Sequence, residues 1–181
     1  TNGINVVVGT TGFDDAKLAK LKELLAANPK VGALIAPNFA LGAVLMMQFS
    51  EIAAKYFESV EIIELHHANK VDAPSGTAVR TAEMITTARR KSNKAAMPDA
   101  TKTTIAGARG ATVGDVPIHS VRSHGYVAHQ EVIFGDPGET LSIRHDSINR
   151  AGFMPGVLLG VREVGKHPGL TVGLEKYMEV M

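Results

Sequence analysis

The 181-residue chain contains no cysteine, which excludes disulfide bonds and thiolate metal sites. It lacks any apolar run approaching the roughly 20 residues that a membrane-spanning helix needs. The formal net charge is only +1, so there is no general electrostatic argument for a nucleic-acid or membrane partner. The N-terminus carries no basic region followed by an apolar one and does not resemble a signal peptide. Together these absences favour a cytoplasmic protein.

The composition that remains is that of a globular protein, with 45% hydrophobic and 20% charged residues. Residues 4–8, apart from Asn5, and residues 31–35 are apolar, and they lie on either side of a helical pattern, which predicts a βαβ unit with buried parallel strands. Residues 116–122, 126–134 and 140–145 are predicted to be consecutive strands of a meander. The predicted fold class is therefore α/β at the start of the chain and α+β in its body.

The run from Glu61 to Ala78 carries more chemistry than any other part of the chain. It reads E-I-I-E-L-H-H-A-N-K-V-D-A-P-S-G-T-A. A predicted strand over residues 60–65 ends at His66 and His67, and ligands gather at the carboxyl ends of strands in α/β sheets. Histidine exchanges protons near neutral pH, and Lys70 supplies a positive charge for a carboxylate. Each of these side chains alone is more often structural, but the ordered set predicts a site.

The same run ends in Ser75-Gly76-Thr77, which is predicted to open a helix over residues 76–90. Free backbone N–H groups and the positive end of the helix dipole attract anions there. Gly76 allows close backbone approach, and Thr77 adds a hydroxyl group. Alone the triplet would be an ordinary N-cap, but together with Lys70 it indicates a site for a small molecule that carries carboxylates.

Two further loops follow predicted strands near the N-terminus. Such loops can line the pyrophosphate or nicotinamide part of a dinucleotide, although no G-x-G-x-x-G fingerprint occurs in the chain. An amide at Asn38 can hydrogen-bond a carboxamide, and Phe39 can stack on a ring. The candidate cofactor-binding residues are Gly9, Thr10, Thr11, Ala36, Pro37, Asn38 and Phe39.

The remaining candidates are weaker. His119, His129 and His145 fall in predicted strands, but no His-x-x-x-His spacing supports a metal, so they are interpreted as sheet or interface histidines and no metal is predicted. Arg150 lies between the last meander strand and the last predicted helix, over residues 152–166. It can bind a carboxylate in bidentate fashion, although alone it would be interpreted as a surface arginine.

The run from Glu61 to Ala78 resembles the signature of the dihydrodipicolinate reductase family, E-[IV]-x-E-x-H-x-x-x-K-x-D-x-P-S-G-T-A. Residues 7–13, 36–40, 144–147 and 168–170 also resemble this family, in the same order, so the resemblance covers essentially the whole chain. It implies an oxidoreductase that uses NADH or NADPH to reduce a cyclic dicarboxylate in the diaminopimelate and lysine pathway. It also implies a cytoplasmic homotetramer joined through the sheet of the C-terminal domain.

The resemblance assigns roles to the candidate residues. His66 would be the general acid/base and Lys70 the proton donor. The substrate carboxylates would be bound by His67, Ser75, Gly76 and Thr77. The loops containing Gly9 and Asn38 would line the nicotinamide half of the cofactor site. Arg150 and Phe153 match a family loop that reaches the active site.

The expected organisation follows from the same resemblance. Residues 1–38 would be the last part of a Rossmann dinucleotide-binding domain, residues 39–153 a mixed-sheet substrate-binding and tetramerisation domain, and residues 154–181 a return to the first domain. The Gly-rich pyrophosphate turn and the ribose-reading element of the family do not occur in the sequence. We therefore expect an N-terminally truncated chain that binds cofactor poorly and turns over little or not at all.

Two alternatives remain open from the residues. The first is a non-catalytic, oligomerising module that binds a dicarboxylate and shares the predicted fold. The second is a metal-dependent lyase or hydrolase that uses His66 and His67. The preference between NADH and NADPH also remains open.

Overall fold

The computed structural model describes residues 3–10 and 12–178. The chain divides into a first unit, residues 1–44 with 150–181, and a second unit, residues 45–149. The strands are β1 (Val6–Val8), β2 (Gly32–Ile35), β3 (Ser59–His66), β4 (Ala111–Val113), β5 (Val116–Arg122), β6 (Ala128–Asp136), β7 (Glu139–Ser147) and β8 (Gly169–Val172). The α-helices are α1 (Asp15–Ala26), α2 (Leu41–Ala53), α3 (Gly76–Lys91) and α4 (Met154–Glu163), and short 3-10 helices span Arg150–Phe153, Val164–Lys166 and Leu174–Tyr177.

The first unit contains a three-stranded parallel sheet in the order β1-β2-β8. All four residues of the central strand β2 are buried, as the continuous apolar run predicts. Gly32 is required at the start of β2, because a Cβ there would lie 2.0 Å from the carbonyl oxygen of Val164. The parallel pairing of β1 with β2 confirms the predicted βαβ unit, with α1 as its helix.

The second unit contains a five-stranded mixed sheet in the order β4-β5-β3-β6-β7. Burial alternates along the central strand β3: Val60, Ile62 and Glu64 are buried, and the residues between them are half-buried. Helix α3 covers the buried face, as a hydrogen bond from Gln130 Nε2 to Thr81 Oγ1 at 2.9 Å shows. We call the opposite side, where Ile63 lies, the open face of the sheet.

The predicted meander is correct for its last two strands, since β6 pairs antiparallel with β7, but it is wrong for its first strand, because β3 lies between β5 and β6. Strand β5 pairs with β3 in parallel, with Ile62 opposite Ile118, and β6 pairs with β3 from the other side, with Ile62 opposite Val132. Apolar alternation identifies strands but not their neighbours, and the helix between β3 and β5 permits a parallel crossover that the meander ignored. Strand β4 was not among the predicted strands either.

The last predicted helix is broken in the structure. Instead of one helix over residues 152–166, α4 is preceded by one 3-10 helix and followed by another. Pro155 lies in the first turn of α4, where the missing N–H costs no hydrogen bond. Among the described residues no helix has both the length and the apolar composition needed to cross a membrane.

One buried cation links three segments of the second unit. Arg89 of α3 is only 2% exposed. Its Nε donates to Asp115 Oδ2 at 3.2 Å, its Nη1 donates to the Phe57 carbonyl at 3.0 Å, and its Nη2 donates to the Ala95 carbonyl at 2.9 Å. Every nitrogen of the guanidinium therefore has an acceptor, which offsets the cost of burying the charge.

We expect Arg89→Met to lower the free energy of unfolding by about 3 kcal/mol, because it leaves two carbonyls and one carboxylate oxygen of Asp115 without their donor. Arg90→Met, at the exposed neighbouring position, is the matched control and should change the free energy by about 0.5 kcal/mol or less. Urea denaturation of the three proteins measures both effects. Equal stability of the two variants would contradict the structural role of Arg89.

Candidate functional site

The run that the sequence singles out lies at the carboxyl end of β3 and at the start of α3. Strand β3 ends at His66, and its parallel register with β5 places His66 opposite Arg122. Ser75 has an extended backbone and caps α3 by accepting a hydrogen bond from the Ala78 N–H at 3.2 Å, which confirms the predicted cap. The strand end and the helix start therefore enclose residues 67–74 as one loop.

A buried carboxylate connects these elements. Glu64 has no exposed surface, and its Oε2 lies 2.5 Å from His66 Nδ1. Arg122 binds both carboxylate oxygens, at 2.7 and 2.8 Å. The backbone N–H of Ser75 donates to Oε1 at 3.1 Å. One side chain thus contacts the candidate acid/base, a neighbouring strand and the capping residue of α3.

Lys70 belongs to the same network. Its Nζ lies 2.6 Å from Asp72 Oδ1, and the two side chains are 21% and 51% exposed. The carbonyl of Asp72 accepts from Arg122 Nη2 at 2.7 Å, so the loop is tied to the guanidinium that holds Glu64. His67 is exposed, and its carbonyl accepts from the Lys70 N–H at 3.1 Å.

The structure therefore brings His66, Lys70 and Ser75 together through shared partners. Gly76 is exposed in the first turn of α3, and Thr77 is half-buried beside it. These are the backbone groups at which an anion can meet the positive end of a helix. The arrangement offers proton exchange at His66, positive charge at Lys70 and N–H donors at the helix start.

The network also sets the charge of its acids. Burial alone would raise the pKa of Glu64, but hydrogen bonds from His66 and Arg122 outweigh it and lower the pKa from 4.5 to about 2. The hydrogen bond from Lys70 lowers the pKa of Asp72, against a smaller opposing effect of burial. Both carboxylates are therefore ionised at neutral pH.

In the first unit, the two predicted cofactor loops follow adjacent parallel strands. Gly9 follows β1 and packs so tightly on the Phe39 ring that a Cβ would lie 2.8 Å from it. The N–H of Ala36 donates to the Val8 carbonyl at 2.9 Å, and Asn38 Oδ1 accepts from the Ala40 N–H at 2.8 Å. The predicted residues after β1 and β2 thus lie side by side at the carboxyl end of the sheet, which supports the prediction that they act together.

The other predicted cofactor residues in these loops are Thr10, Pro37 and Thr11. Thr10 is exposed, and its Oγ1 accepts from the Gly12 N–H at 3.3 Å. Pro37 is half-buried at the end of β2. Thr11 lies outside the described residues, so its assignment remains a prediction.

Arg150 and Phe153 lie in the 3-10 helix of the first unit, where Arg150 is exposed and Phe153 is half-buried. Their role remains a prediction.

Of the other histidines, His119 Nε2 lies 2.6 Å from Glu61 Oε2, and His129 Nδ1 lies 2.6 Å from an Asp146 oxygen. Within residues 3–10 and 12–178 no group of three or more potential side-chain ligands is placed to hold a metal ion.

Three residues of the network were missed by the sequence reasoning: Glu64, Asp72 and Arg122. Glu64 and Asp72 were visible within the quoted run, but a glutamate in a strand gives no sign of being fully buried. Arg122 lies far from that run in the sequence, and only the parallel pairing of β5 with β3 brings it near. A buried glutamate needs a buried donor, which is a signal only once burial is known.

Comparisons with known proteins agree along the whole chain. The family model described as dihydrodipicolinate reductase, N-terminus, matches residues 1–39, and the model for the C-terminus of the same family matches residues 42–178. The 4-hydroxy-tetrahydrodipicolinate reductases of Nocardia farcinica and Streptomyces avermitilis are 63% and 60% identical over 179 residues, which are 99% of this chain and 72% of each relative.

A solved structure is similar as well. The structure of dipicolinate-bound dihydrodipicolinate reductase from Paenisporosarcina sp. TG-14 matches this chain with a TM-score of 0.85 and 47% sequence identity. The match covers 98% of this chain and 66% of that chain.

The pKa of Glu64 predicts how acid affects the protein. Because this pKa is lowered on folding, the carboxylate stabilises the fold above pH 4.5, and this contribution is lost as the pH falls through about 2. The contribution is of the order of 3 kcal/mol at neutral pH. We expect Glu64→Gln to be less stable at neutral pH and to show a shallower decline in unfolding free energy below pH 4.5.

Urea denaturation at a series of pH values measures this slope. Glu83→Gln, on the exposed side of α3, is the control and should keep the slope of the original protein. Parallel curves for the original protein and Glu64→Gln would show that Glu64 does not titrate as proposed.

Proposed function

Because the chain belongs to the dihydrodipicolinate reductase family, as the sequence predicted, we propose that it acts in the reduction of 4-hydroxy-tetrahydrodipicolinate by a reduced nicotinamide cofactor, a step of diaminopimelate and lysine biosynthesis. The observation that carries the proposal is the joined arrangement of His66, Lys70 and the start of α3 around Glu64. The chain spans 72% of the length of its curated relatives and 66% of the solved relative.

The substrate carboxylates bind, in this proposal, at the N-terminus of α3 and at Lys70. Gly76 leaves the backbone accessible, Thr77 adds a hydroxyl group, and the helix dipole favours negative charge. Exposed His67 adds a second polar contact. The dipicolinate bound by the Paenisporosarcina enzyme is a planar ring with two carboxylates, so it has the chemistry that this arrangement recognises. Arg150 is proposed to contribute a further contact to a carboxylate.

His66 and Lys70 are the proposed proton-transfer residues. Addition of a hydride to a conjugated imine places negative charge on the ring, and a nearby cation with a proton stabilises that charge. Lys70 carries the cation, and Asp72 holds its Nζ at 2.6 Å. His66 provides the acid/base group, and Glu64 holds its ring at 2.5 Å. Each proton-transfer group therefore has a carboxylate that orients it.

The cofactor supplies the hydride. The residues proposed to hold its nicotinamide half are Gly9, Thr10 and Thr11 after β1, and Ala36, Pro37, Asn38 and Phe39 after β2. They fit this role because they follow two adjacent parallel strands at the carboxyl end of the sheet, where ligands gather. Either NADH or NADPH is compatible with these residues, since none of them discriminates between the two adenosine riboses.

We also propose a cytoplasmic homotetramer, in which copies of the chain meet through the open face of the five-stranded sheet. Half-buried apolar residues lie on this face, among them Ile63, Leu65 and Ile133. Charged side chains lie beside them, with Arg144 Nη1 donating to Glu131 Oε2 at 3.2 Å. A mixture of apolar and paired charged groups is suited to association of copies.

The substrate proposal predicts that Lys70→Ala weakens dipicolinate binding by roughly 10- to 100-fold, because one charged contact to a carboxylate is lost. Isothermal titration calorimetry of the chain with dipicolinate measures this. Lys91→Ala, at the opposite end of α3, is the matched control and should bind like the original protein. No binding by the original protein, or equal binding by Lys70→Ala, would contradict the proposed site.

A reductase assay separates catalysis from binding. Oxidation of NADH or NADPH above the substrate-free rate supports the reductase. Because the sequence predicts weak cofactor binding and little turnover by this chain, dipicolinate binding without any such excess agrees with that expectation as well as with the non-catalytic dicarboxylate-binding module.

The assembly proposal predicts that Ile63→Lys lowers the mass of the particle in solution, because it places an unpaired charge in an apolar contact. Light scattering after size exclusion measures that mass. Thr87→Lys, at an exposed position of α3 on the other side of the sheet, should leave the mass unchanged. A particle of four chains with Ile63→Lys, or a smaller particle with Thr87→Lys, would contradict assembly through the open face.

A further inference from the structure

The Glu64 carboxylate is surrounded by hydrogen-bond donors, and this determines which ring nitrogen of His66 carries the hydrogen atom. Its Oε1 accepts from Arg122 Nη2 at 2.7 Å and from the Ser75 N–H at 3.1 Å. Its Oε2 accepts from Arg122 Nη1 at 2.8 Å and lies 2.5 Å from His66 Nδ1. A guanidinium and a backbone amide can only donate, so their contacts require an ionised carboxylate. An ionised carboxylate can only accept, so the hydrogen atom between it and His66 belongs to Nδ1.

We infer that Glu64 is a positioning residue for the reaction: it fixes His66 as the Nδ1–H tautomer, so that every proton that His66 exchanges with the substrate passes through its Nε2. This inference rests on the proposed function for its catalytic meaning. A histidine in the other tautomer would present N–H at Nε2 while neutral and could not accept a proton there. Fixing the tautomer therefore defines which atom is the acid when the ring is charged and the base when it is neutral.

The same carboxylate also joins the proton-transfer group to the proposed anion site. Ser75 caps α3 with its side chain and donates its backbone N–H to Glu64. The start of α3 and the His66 ring are therefore held by the two oxygens of one buried group. The distance between the His66 ring and the proposed carboxylate site at the start of α3 is therefore set by the Glu64 side chain. Reaction rates are sensitive to the placement of such groups.

The chain contains a matched pair for comparison. Glu61, three residues earlier on β3, contacts His119 through Nε2 at 2.6 Å and also accepts from Arg109. Its pKa is lowered by hydrogen bonds from Arg109 and His119, which outweigh the effect of burial. By the same reasoning, His119 is the Nε2–H tautomer. Two carboxylates of β3, Glu61 and Glu64, are thus expected to hold their histidines in opposite tautomers.

Nitrogen-15 NMR of the imidazole rings tests the inference without any requirement for turnover. Spectra of His66→Gln and His119→Gln assign the signals. In the neutral rings of the original protein we expect protonation at Nδ1 in His66 and at Nε2 in His119. Glu64→Gln should shift the His66 tautomer ratio towards Nε2–H by about tenfold or more, the effect of losing one charged hydrogen bond. Glu61→Gln, the control, should leave His66 unchanged.

Dipicolinate provides the second readout. We expect added dipicolinate to move the Nε2 signal of His66 more than its Nδ1 signal, since Nδ1 remains with Glu64. An Nε2–H tautomer of His66 in the original protein would overturn the inference. So would an unchanged tautomer ratio in a folded Glu64→Gln. If that variant does not fold, the tautomers of the original protein decide.

The two proposals fail separately. An Nδ1–H tautomer without dipicolinate binding would contradict the proposed function and support the positioning by Glu64. Dipicolinate binding with an Nε2–H tautomer would support the function and contradict the positioning.

Discussion

The pairing of the buried Glu64 carboxylate with Arg122 is the constraint on which the candidate site depends. A fully buried charge is tolerated only when it is neutralised and hydrogen-bonded. Here the neutralising cation comes from β5, and the further donors come from His66 and the Ser75 backbone. The strand pairing, the loop after β3 and the start of α3 therefore meet at one group. Loss of any of these contacts would leave polar atoms buried without partners.

The two units provide different chemistry on the same structural plan. In each, the candidate residues follow parallel strands at their carboxyl ends, where the loops are free of sheet hydrogen bonds. The second unit supplies charged and titrating side chains from residues 66–75. The first unit supplies mainly backbone at Gly9, beside the Phe39 ring.

Local pattern was a good guide to the elements and a poor guide to their neighbours. The expected bounds of β3 and α3 lie within about one residue of the observed ones, because burial alternation and a capping serine are local signals. The pairing of β6 with β7 was predicted correctly, but the pairing of β5 with β6 was wrong, because strand pairing also depends on residues distant in sequence, such as Ile62 and Ile118. The buried Arg89 was not anticipated either, because its three acceptors lie in segments separated along the chain.

Residue order alone was sufficient for the family and for the start of α3, and it supplied the residues proposed for proton transfer and anion binding, because all of these lie within the run from Glu61 to Ala78. The fold was needed to find what holds them. The run does not disclose that Glu64 is buried or that Arg122 neutralises it, since burial and long-range pairing exist only after the sheet forms. Contacts between residues a few positions apart can be predicted from the local sequence. The partner of a buried charge can be distant in sequence, so only the packed structure identifies it.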